Sequence, residues 1–200
     1  MKGEQSMRER KSLIEKIAIG VTPAVDLGAS ALGIIPWFGP VLGMVQALSD
    51  IQSQILVNKM QAFLAGTANA TQDDLNAASM DFDTPGKRED ITGSLLLAIN
   101  SYTDLYNCQL LGKLYLAFLR KEISGTELRR FALAINIAFS DDIQEFLIDK
   151  CLDVEPQAYK ENLQRTGLIR QITGDDAPAW GVAYEVSPFG RTFLRVMSAE

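Results

Sequence analysis

An uncharged stretch of 22 residues, from Leu27 to Leu48, is the feature that most constrains what this chain can fold into. As one straight helix it would be ~33 Å long at ~1.5 Å per residue, about the thickness of a bilayer core. Pro36 and the Gly39-Pro40 pair interrupt such a helix, because proline lacks a backbone N–H and disfavours helical backbone at the preceding residue. The stretch therefore predicts two apolar helices joined near Pro36, with Pro40 at the start of the second.

Charge is distributed unevenly along the chain. Residues 1–16 carry a net charge of +2, and residues 17–49 carry a single charge, at Asp26. Residues 50–200 carry 14 basic and 21 acidic side chains, which gives this part a net charge of -7. Because phosphate binding needs a basic face, nucleic acid is not expected to be the main partner.

Histidine is absent, and there are two cysteines, Cys108 and Cys151. The absence of histidine excludes Ser-His-Asp and Cys-His catalysis and zinc sites with imidazole ligands. Two thiols cannot form a four-thiolate site, so we expect both to be buried and reduced in the cytosol. The chain has no P-loop, dinucleotide fingerprint or Ser-x-x-Lys motif, so we expect no enzyme activity and no cofactor.

Three pairs of aspartates lie close together in the sequence: Asp81/Asp83, Asp141/Asp142 and Asp175/Asp176. A pair of carboxylates can hold a divalent cation, but none of the three has the fuller ligand set of a calcium loop. Turn formation and helix capping explain aspartates in these positions. No metal site is therefore expected.

Apolar periodicity and capping residues predict that most of the chain is helical. The predicted helices cover about 6–19, 24–35, 40–64 with Gly66 as its stop, a segment from Thr84-Pro85, 103–122, a segment from Gly125 after the capping box Ser124–Glu127, a segment capped by Ser140, and 156–167. Strands are predicted at about 168–172 and 182–186, and Ser187-Pro188 caps and opens a last helix. The C-terminal order is therefore αββα, as in a winged helix.

The fold class expected from these elements is mainly α. It comprises a multi-helix body, an N-terminal hydrophobic helical hairpin and a small C-terminal αββα unit of winged-helix-like order. The expected division is 1–65 for the hairpin region, 66–87 for a linker, 88–152 for the helical body and 153–200 for the tail. Residues 66–87 are small and polar, which favours a linker there.

Residues 59–147 resemble a family of uncharacterised bacterial helical proteins through the segments KMQAFL (59–64), LLLAI (95–99), LLGKLYLAFL (110–119) and 123–131. The C-terminal segments GLI (167–169) and YEVSPFGRTFL (184–194) resemble the winged-helix ending of bacterial proteins of the abortive-infection alpha type. The resemblance implies a bacterial or prophage origin and a link to conflict with phages. It transfers no active site, since it consists of helical patterning.

Contact with a membrane or with a second copy is predicted for ten apolar residues: Leu27, Leu32, Ile34, Ile35, Trp37, Phe38, Val41, Leu42, Val45 and Leu48. The leading hypothesis is a non-enzymatic, membrane-active or membrane-associated bacterial protein, a phage-defence or toxicity effector of the cytoplasm and inner membrane. Residues 17–48 would be released from the acidic body and would self-associate in the bilayer, as in pore-forming proteins. The expected partners are thus the lipid bilayer or a second copy of the chain.

Two alternatives remain open at this stage. The uncharged stretch also fits the core of a soluble oligomeric interaction module, with no membrane involved. The αββα tail also fits a winged-helix transcriptional regulator, but its residues 155–200 carry a net charge of -1, and Asp175 and Asp176 stand where a wing would meet phosphate. A protein partner is therefore expected for the tail in preference to DNA.

Overall fold

The computed structural model describes residues 51–71, 73, 74, 76, 85–150, 157–173 and 182–199. Within these ranges the chain is mainly helical, which confirms the predicted class, and a two-stranded sheet precedes the last helix. The elements are α1 (Ile51–Gly66), α2 (Pro85–Ser101), α3 (Leu105–Leu119), α4 (Gly125–Ile137), α5 (Ser140–Asp149), α6 (Ala158–Gln164), β1 (Ile169–Gln171), β2 (Tyr184–Val186) and α7 (Pro188–Ser198). The predicted N-terminal hairpin lies outside the described residues.

Side-chain caps begin α4 and α7 where the sequence predicts them. The Ser124 hydroxyl accepts a hydrogen bond from the Glu127 backbone N–H at 3.2 Å, and the Glu127 carboxylate accepts one from the Ser124 backbone N–H at 2.8 Å. This reciprocal pair is the predicted capping box, and it fixes the start of α4. Ser187 caps α7 by accepting from the Gly190 backbone N–H at 2.9 Å, with Pro188 as the first helical residue.

The predicted cap of α5 is wrong. Ser140 is the first residue of the helix, and the N-cap is Phe139, which makes no side-chain capping bond. Helix α4 ends at Ile137, and both its C-cap Ala138 and the following residue Phe139 have extended backbone, so α5 begins only at Ser140. Asp141 and Asp142 lie in the first turn as predicted, where the helix dipole favours their negative charge.

The closest approach of two helices joins α1 to α3 through glycines. A methyl group added at Gly112 would collide with the backbone carbonyl oxygen of Phe63, and one at Gly66 would collide with that of Gln109. Only glycine lets two helix backbones come this close. The contact occupies the middle of α3, so α1 belongs to the packed body.

Contacts between α1 and α3 advance in the same direction along both helices. Phe63 lies against Gly112, and Asn69, just beyond the end of α1, accepts a hydrogen bond at 2.8 Å from Arg120, just beyond the end of α3. The two helices therefore run parallel. This arrangement places the start of α1 at the same end of the body as the start of α3.

One cluster of buried side chains runs through all seven described helices and both strands. It includes Met60 and Phe63 of α1 and the buried leucines of α3. In α4, Phe131 stacks on Phe189 of α7 with a distance of 4.2 Å between ring centroids. The C-terminal helix therefore shares the core of the body.

The two strands form an antiparallel pair at the predicted positions. Ile169 lies opposite Val186, and Arg170 lies opposite Glu185. The Arg170 guanidinium forms an ion pair with the Glu185 carboxylate across the strands, at 2.6 Å. Cross-strand pairs of opposite charge stabilise such ribbons.

Arg120 ties residues 69–74 to the end of α3. Its guanidinium forms an ion pair with the Asp74 carboxylate at 3.2 Å and donates to the Asn69 carbonyl oxygen. The Thr71 backbone N–H also donates to Asp74, at 2.8 Å. This part of the predicted linker is therefore held against the body.

Replacing Gly112 by alanine should lower the free energy of unfolding by about 1–3 kcal/mol, because overpacking forces backbone shifts. Gly93→Ala in α2 is the matched control, since nothing lies within 4 Å of its added methyl group. That control should raise the free energy of unfolding by up to ~1 kcal/mol through helix propensity. Urea unfolding followed by circular dichroism measures both. Equal effects at the two positions would contradict the close helix contact.

Acidification should remove the stabilising effect of Asp74. Burial opposes ionisation of this carboxyl, but hydrogen bonds from Thr71 and Arg120 outweigh burial and lower its pKa below the ordinary 3.8. A lowered folded-state pKa stabilises the fold above the unfolded pKa, and this stabilisation is lost as the pH falls through the folded value.

Asp74→Asn should therefore reduce the free energy of unfolding at neutral pH by up to about 1 kcal/mol, and the difference from wild type should vanish in acid. Urea unfolding at a series of pH values measures this. Asp73→Asn, at the exposed neighbouring position, is the control. A difference that persists unchanged at the lowest pH would argue against the ion pair.

Candidate interaction surface

All ten residues predicted to contact a membrane or a second copy lie outside the described residues, since the first of these is Ile51. In the ranges that the structure covers, no helix is both long and apolar enough to cross a bilayer. Helix α1 follows the uncharged stretch after only two intervening residues, Ser49 and Asp50. The side chains around α1 therefore define the surface nearest to that stretch.

Helix α1 is joined to the C-terminal end of α2 by a direct hydrogen bond. The Lys59 ammonium donates to the Asn100 carbonyl oxygen at 2.8 Å. Asn100 lies in the last turn of α2, where unpaired carbonyl groups attract a cation. This bond places the middle of α1 beside the end of α2.

Helix α4 reaches the same end of α2. The Tyr102 hydroxyl donates to the Ala132 carbonyl oxygen at 2.9 Å. One residue earlier, the Ser101 hydroxyl lies 3.1 Å from the Asn136 side-chain oxygen, to which it donates. The end of α2, residues 100–102, is therefore a junction that is bonded both to α1 and to α4.

Five large apolar side chains around this junction remain exposed, from 49% of the residue surface at Ile55 to 73% at Leu97. We call them the apolar end surface: Ile55, Leu97, Leu133, Ile137 and Phe139. Each of the first four lies within one helical turn of a residue in the hydrogen bonds described above, and Phe139 lies two residues beyond the last residue of α4. Single exposed apolar residues are ordinary, but a group of them marks an interaction surface.

The first two residues of this surface are spaced to face the junction. Ile55 precedes Lys59 by one turn on α1, and Leu97 precedes Ser101 by one turn on α2. Residues four apart lie on the same side of a helix. Ile55 and Leu97 are therefore on the sides of α1 and α2 that carry the bonds between the helices.

A buried thiol lies just beyond this surface, at the start of α3. Cys108 is fully buried and free, which confirms the prediction of a buried thiol there, whereas Cys151 lies outside the described residues. Burial raises the pKa of Cys108 to about 12. The positive charge of Lys59 opposes this rise, whereas the negative charge of Asp104 adds to it. The thiolate is therefore negligible at neutral pH, and the group is chemically inert.

Two polar neighbours of Cys108 are also buried. Burial, with a smaller contribution from Cys108, raises the pKa of Tyr102 far above its usual range. The side-chain oxygen of Asn107 is buried without a hydrogen-bond partner among the described residues. Leaving such an atom unpaired costs about 1–3 kcal/mol. Neither group offers a base or a nucleophile at neutral pH.

The first helix of the C-terminal αββα unit is packed against α5 through polar contacts. Tyr159 donates to the Asp149 carboxylate, and the Asn162 amide donates to Asp142 at 3.0 Å. Lys160, between them, is fully buried. Helix α6 has seven residues. Its polar side chains thus hold the tail to the body.

Further basic side chains of the tail are also engaged within the chain. Arg170 pairs with Glu185, and Arg191 donates to the Val186 carbonyl oxygen at 3.0 Å. Arg195 reaches back to the body and donates to the Glu122 carbonyl oxygen at 3.1 Å. These contacts favour a structural role for the tail over the reading of DNA.

Of the three aspartate pairs, the structure describes only Asp141/Asp142. Asp141 and Asp142 lie in the first turn of α5, and Asp142 accepts from Asn162. No group of three metal-ligating side chains is found among the described residues. The other two pairs lie outside these ranges.

A separate open cleft of about 230 Å³ lies between the end of α1, α3 and α7. Its lining includes Lys113, Arg120, Glu122 and Val196. Arg120 is already paired with Asp74, and Glu122 lies 4.0 Å from Arg195. The cleft therefore presents mixed and largely compensated charge, which matches no particular class of ligand.

Comparison of the chain with family models, with curated proteins and with solved structures gives no match. The resemblance to abortive-infection proteins therefore stays a prediction. No residue receives a role from another protein.

Sequence patterning alone did not find the apolar end surface. The apolar stripe read from α4 runs through Leu128, Phe131 and Ile135, all of which are buried. Leu133 and Ile137 are large apolar residues that fall off that stripe, on the opposite side. A helix that is buried on one face is expected to be polar on the other. Apolar residues on the opposite face of α4 were therefore the sequence signal that could have indicated this surface.

Cys108 should resist thiol reagents in the folded protein. In a Cys151→Ser variant, Ellman's reagent at pH 8 should not label Cys108 until denaturant is added, because roughly one thiol in ten thousand is ionised there. Ser198→Cys in the same background supplies an exposed thiol as the control and should react at once. Rapid labelling of Cys108 under native conditions would show that the start of α3 opens readily.

Proposed function

We propose that this protein is a non-enzymatic, membrane-associated effector that acts through residues 17–48, with the helical body as their carrier. The observation that carries the proposal is a juxtaposition. An uncharged stretch long enough to enter a bilayer is joined to α1 through Ser49 and Asp50. The body around α1 has exposed apolar side chains. The role in bacterial defence or toxicity rests on the resemblance to abortive-infection proteins.

The charge distribution supports attachment through the N-terminal part. The body carries a net charge of -7, which repels it from anionic lipids, whereas residues 1–16 carry +2. Attachment to a bacterial inner membrane must then come from the apolar stretch and the basic residues before it. The prolines and glycines within the stretch favour a bent pair of helices over a single span.

Self-association is the second candidate, and the apolar end surface favours it. A second copy of the chain would cover the same five side chains, and the uncharged stretch would then be part of a soluble oligomer. Membrane association is preferred because 18 or more residues without charge are typical of a bilayer segment.

Vesicle flotation tests the proposal on the full-length protein. The wild type should float with vesicles of phosphatidylethanolamine and phosphatidylglycerol and should resist a carbonate wash. Val45→Asp places a charge in the apolar stretch. It should lower partition into the vesicles roughly a hundredfold, since a charge in hydrocarbon costs about 3 kcal/mol.

The control is Ile148→Asp, which adds the same charge at a position 62% exposed on α5. This variant should float as the wild type does. Failure of the wild type to float would refute the membrane proposal. Loss of all helical circular dichroism in Val45→Asp would identify the stretch as a buried core segment, and light scattering would then measure the oligomer.

A further inference from the structure

We propose that the apolar end surface is the docking face for this protein's own residues 27–48. The inference rests on the proposed function, because it says what holds these residues before they meet a membrane. The surface consists of Ile55, Leu97, Leu133, Ile137 and Phe139 on α1, α2 and the end of α4. The docked segment covers these side chains and is covered by them.

The stretch is attached close enough to reach this surface. It ends at Leu48, and three further steps along the chain lead to Ile51, the first residue of α1. Those steps span at most ~10 Å, and the eight residues from Ile51 to Lys59 rise ~12 Å along the helix. Lys59 is itself bonded to Asn100 at the centre of the junction. Even as helix, the 22 residues can cover the surface.

The chemistry of the two partners also matches. The stretch has no charged residue, so no charge would be desolvated on its side of the contact. On the body, two hydroxyls between the apolar side chains are already satisfied, because Ser101 donates to Asn136 and Tyr102 donates to the Ala132 carbonyl oxygen. An apolar segment can therefore lie over these two hydroxyls without leaving either of them unpaired.

Docking and membrane insertion compete for the same residues. While residues 27–48 lie on the apolar end surface, their side chains are unavailable to lipid, so weakening the surface increases the released fraction. A substitution on the exposed side of α4 therefore changes the fraction of molecules in which residues 27–48 are docked, although these residues are distant from α4 in sequence. Because Leu133 is 58% exposed, replacing it should leave the fold of the body intact.

Trp37 reports on docking directly, in buffer without lipid. The only other tryptophan is Trp180, so Trp180→Phe leaves Trp37 as the single indole. In that background, Trp37 should be shielded from acrylamide and should emit at short wavelength. Adding Leu133→Asp should shift its emission to the red and raise the quenching constant roughly twofold, because the indole loses an apolar contact to water. Leu97→Asp, on α2, should act in the same way.

Ile148→Asp is the matched control, since it adds the same charge to an exposed apolar position of α5 and should leave Trp37 unchanged. Trp37 that is fully quenched in the parent, or shielded equally in all variants, would overturn the inference. A concentration-dependent dimer that Leu133→Asp dissociates without exposing Trp37 would assign the surface to a second copy. Flotation is a separate readout: a protein that docks but does not float refutes the proposed function alone.

Discussion

The contact of α1 with α3 through Gly66 and Gly112 is the constraint on which the rest of the structure depends. Glycine inside a helix is unfavourable by roughly 0.5–1 kcal/mol relative to alanine, so the close backbone contact must offset this loss. It does so by bringing Met60 and Phe63 into the central core. With α1 fixed to α3, the start of α1 is fixed as well. The uncharged stretch is therefore joined, through Ser49 and Asp50, to a helix whose position in the body is fixed.

Helix α4 has two faces with different contacts, one buried against the last helix and one exposed. Its buried face carries Phe131, which stacks on Phe189 of the last helix, and that helix is held close by Gly190, where a methyl group would collide with the Leu168 carbonyl oxygen. Its exposed face carries Leu133 and Ile137. Helix α4 therefore packs against the tail on one face and presents two of the five residues of the apolar end surface on the other.

Local signals were enough to predict most of the helices, whereas their arrangement was not predictable. Three features could be predicted because residues close together in the sequence determine them. They are the capping box at Ser124, the helix start at Ser187-Pro188 and the two strands. The cap at Ser140 was misread because the bend after α4 ends at Phe139, and nothing local distinguishes adjacent residues.

Pairing of distant elements leaves no such local trace. The sequence predicts a helix stop at Gly66 and gives no particular role to Gly112, yet the two glycines lie against each other. Of the candidate site, sequence patterning predicted the apolar segment but not the body's surface for it. In the mechanism that we propose, such a surface would also let an acidic body carry a segment that enters membranes. At physiological ionic strength charges are screened beyond ~8 Å, so a body repelled by anionic lipid need only stand off by about that distance once its apolar segment is released. In the same proposed mechanism, repulsion between the body and the bilayer would favour the docked state until contact of the segment with hydrocarbon outweighs its contact with the five exposed side chains.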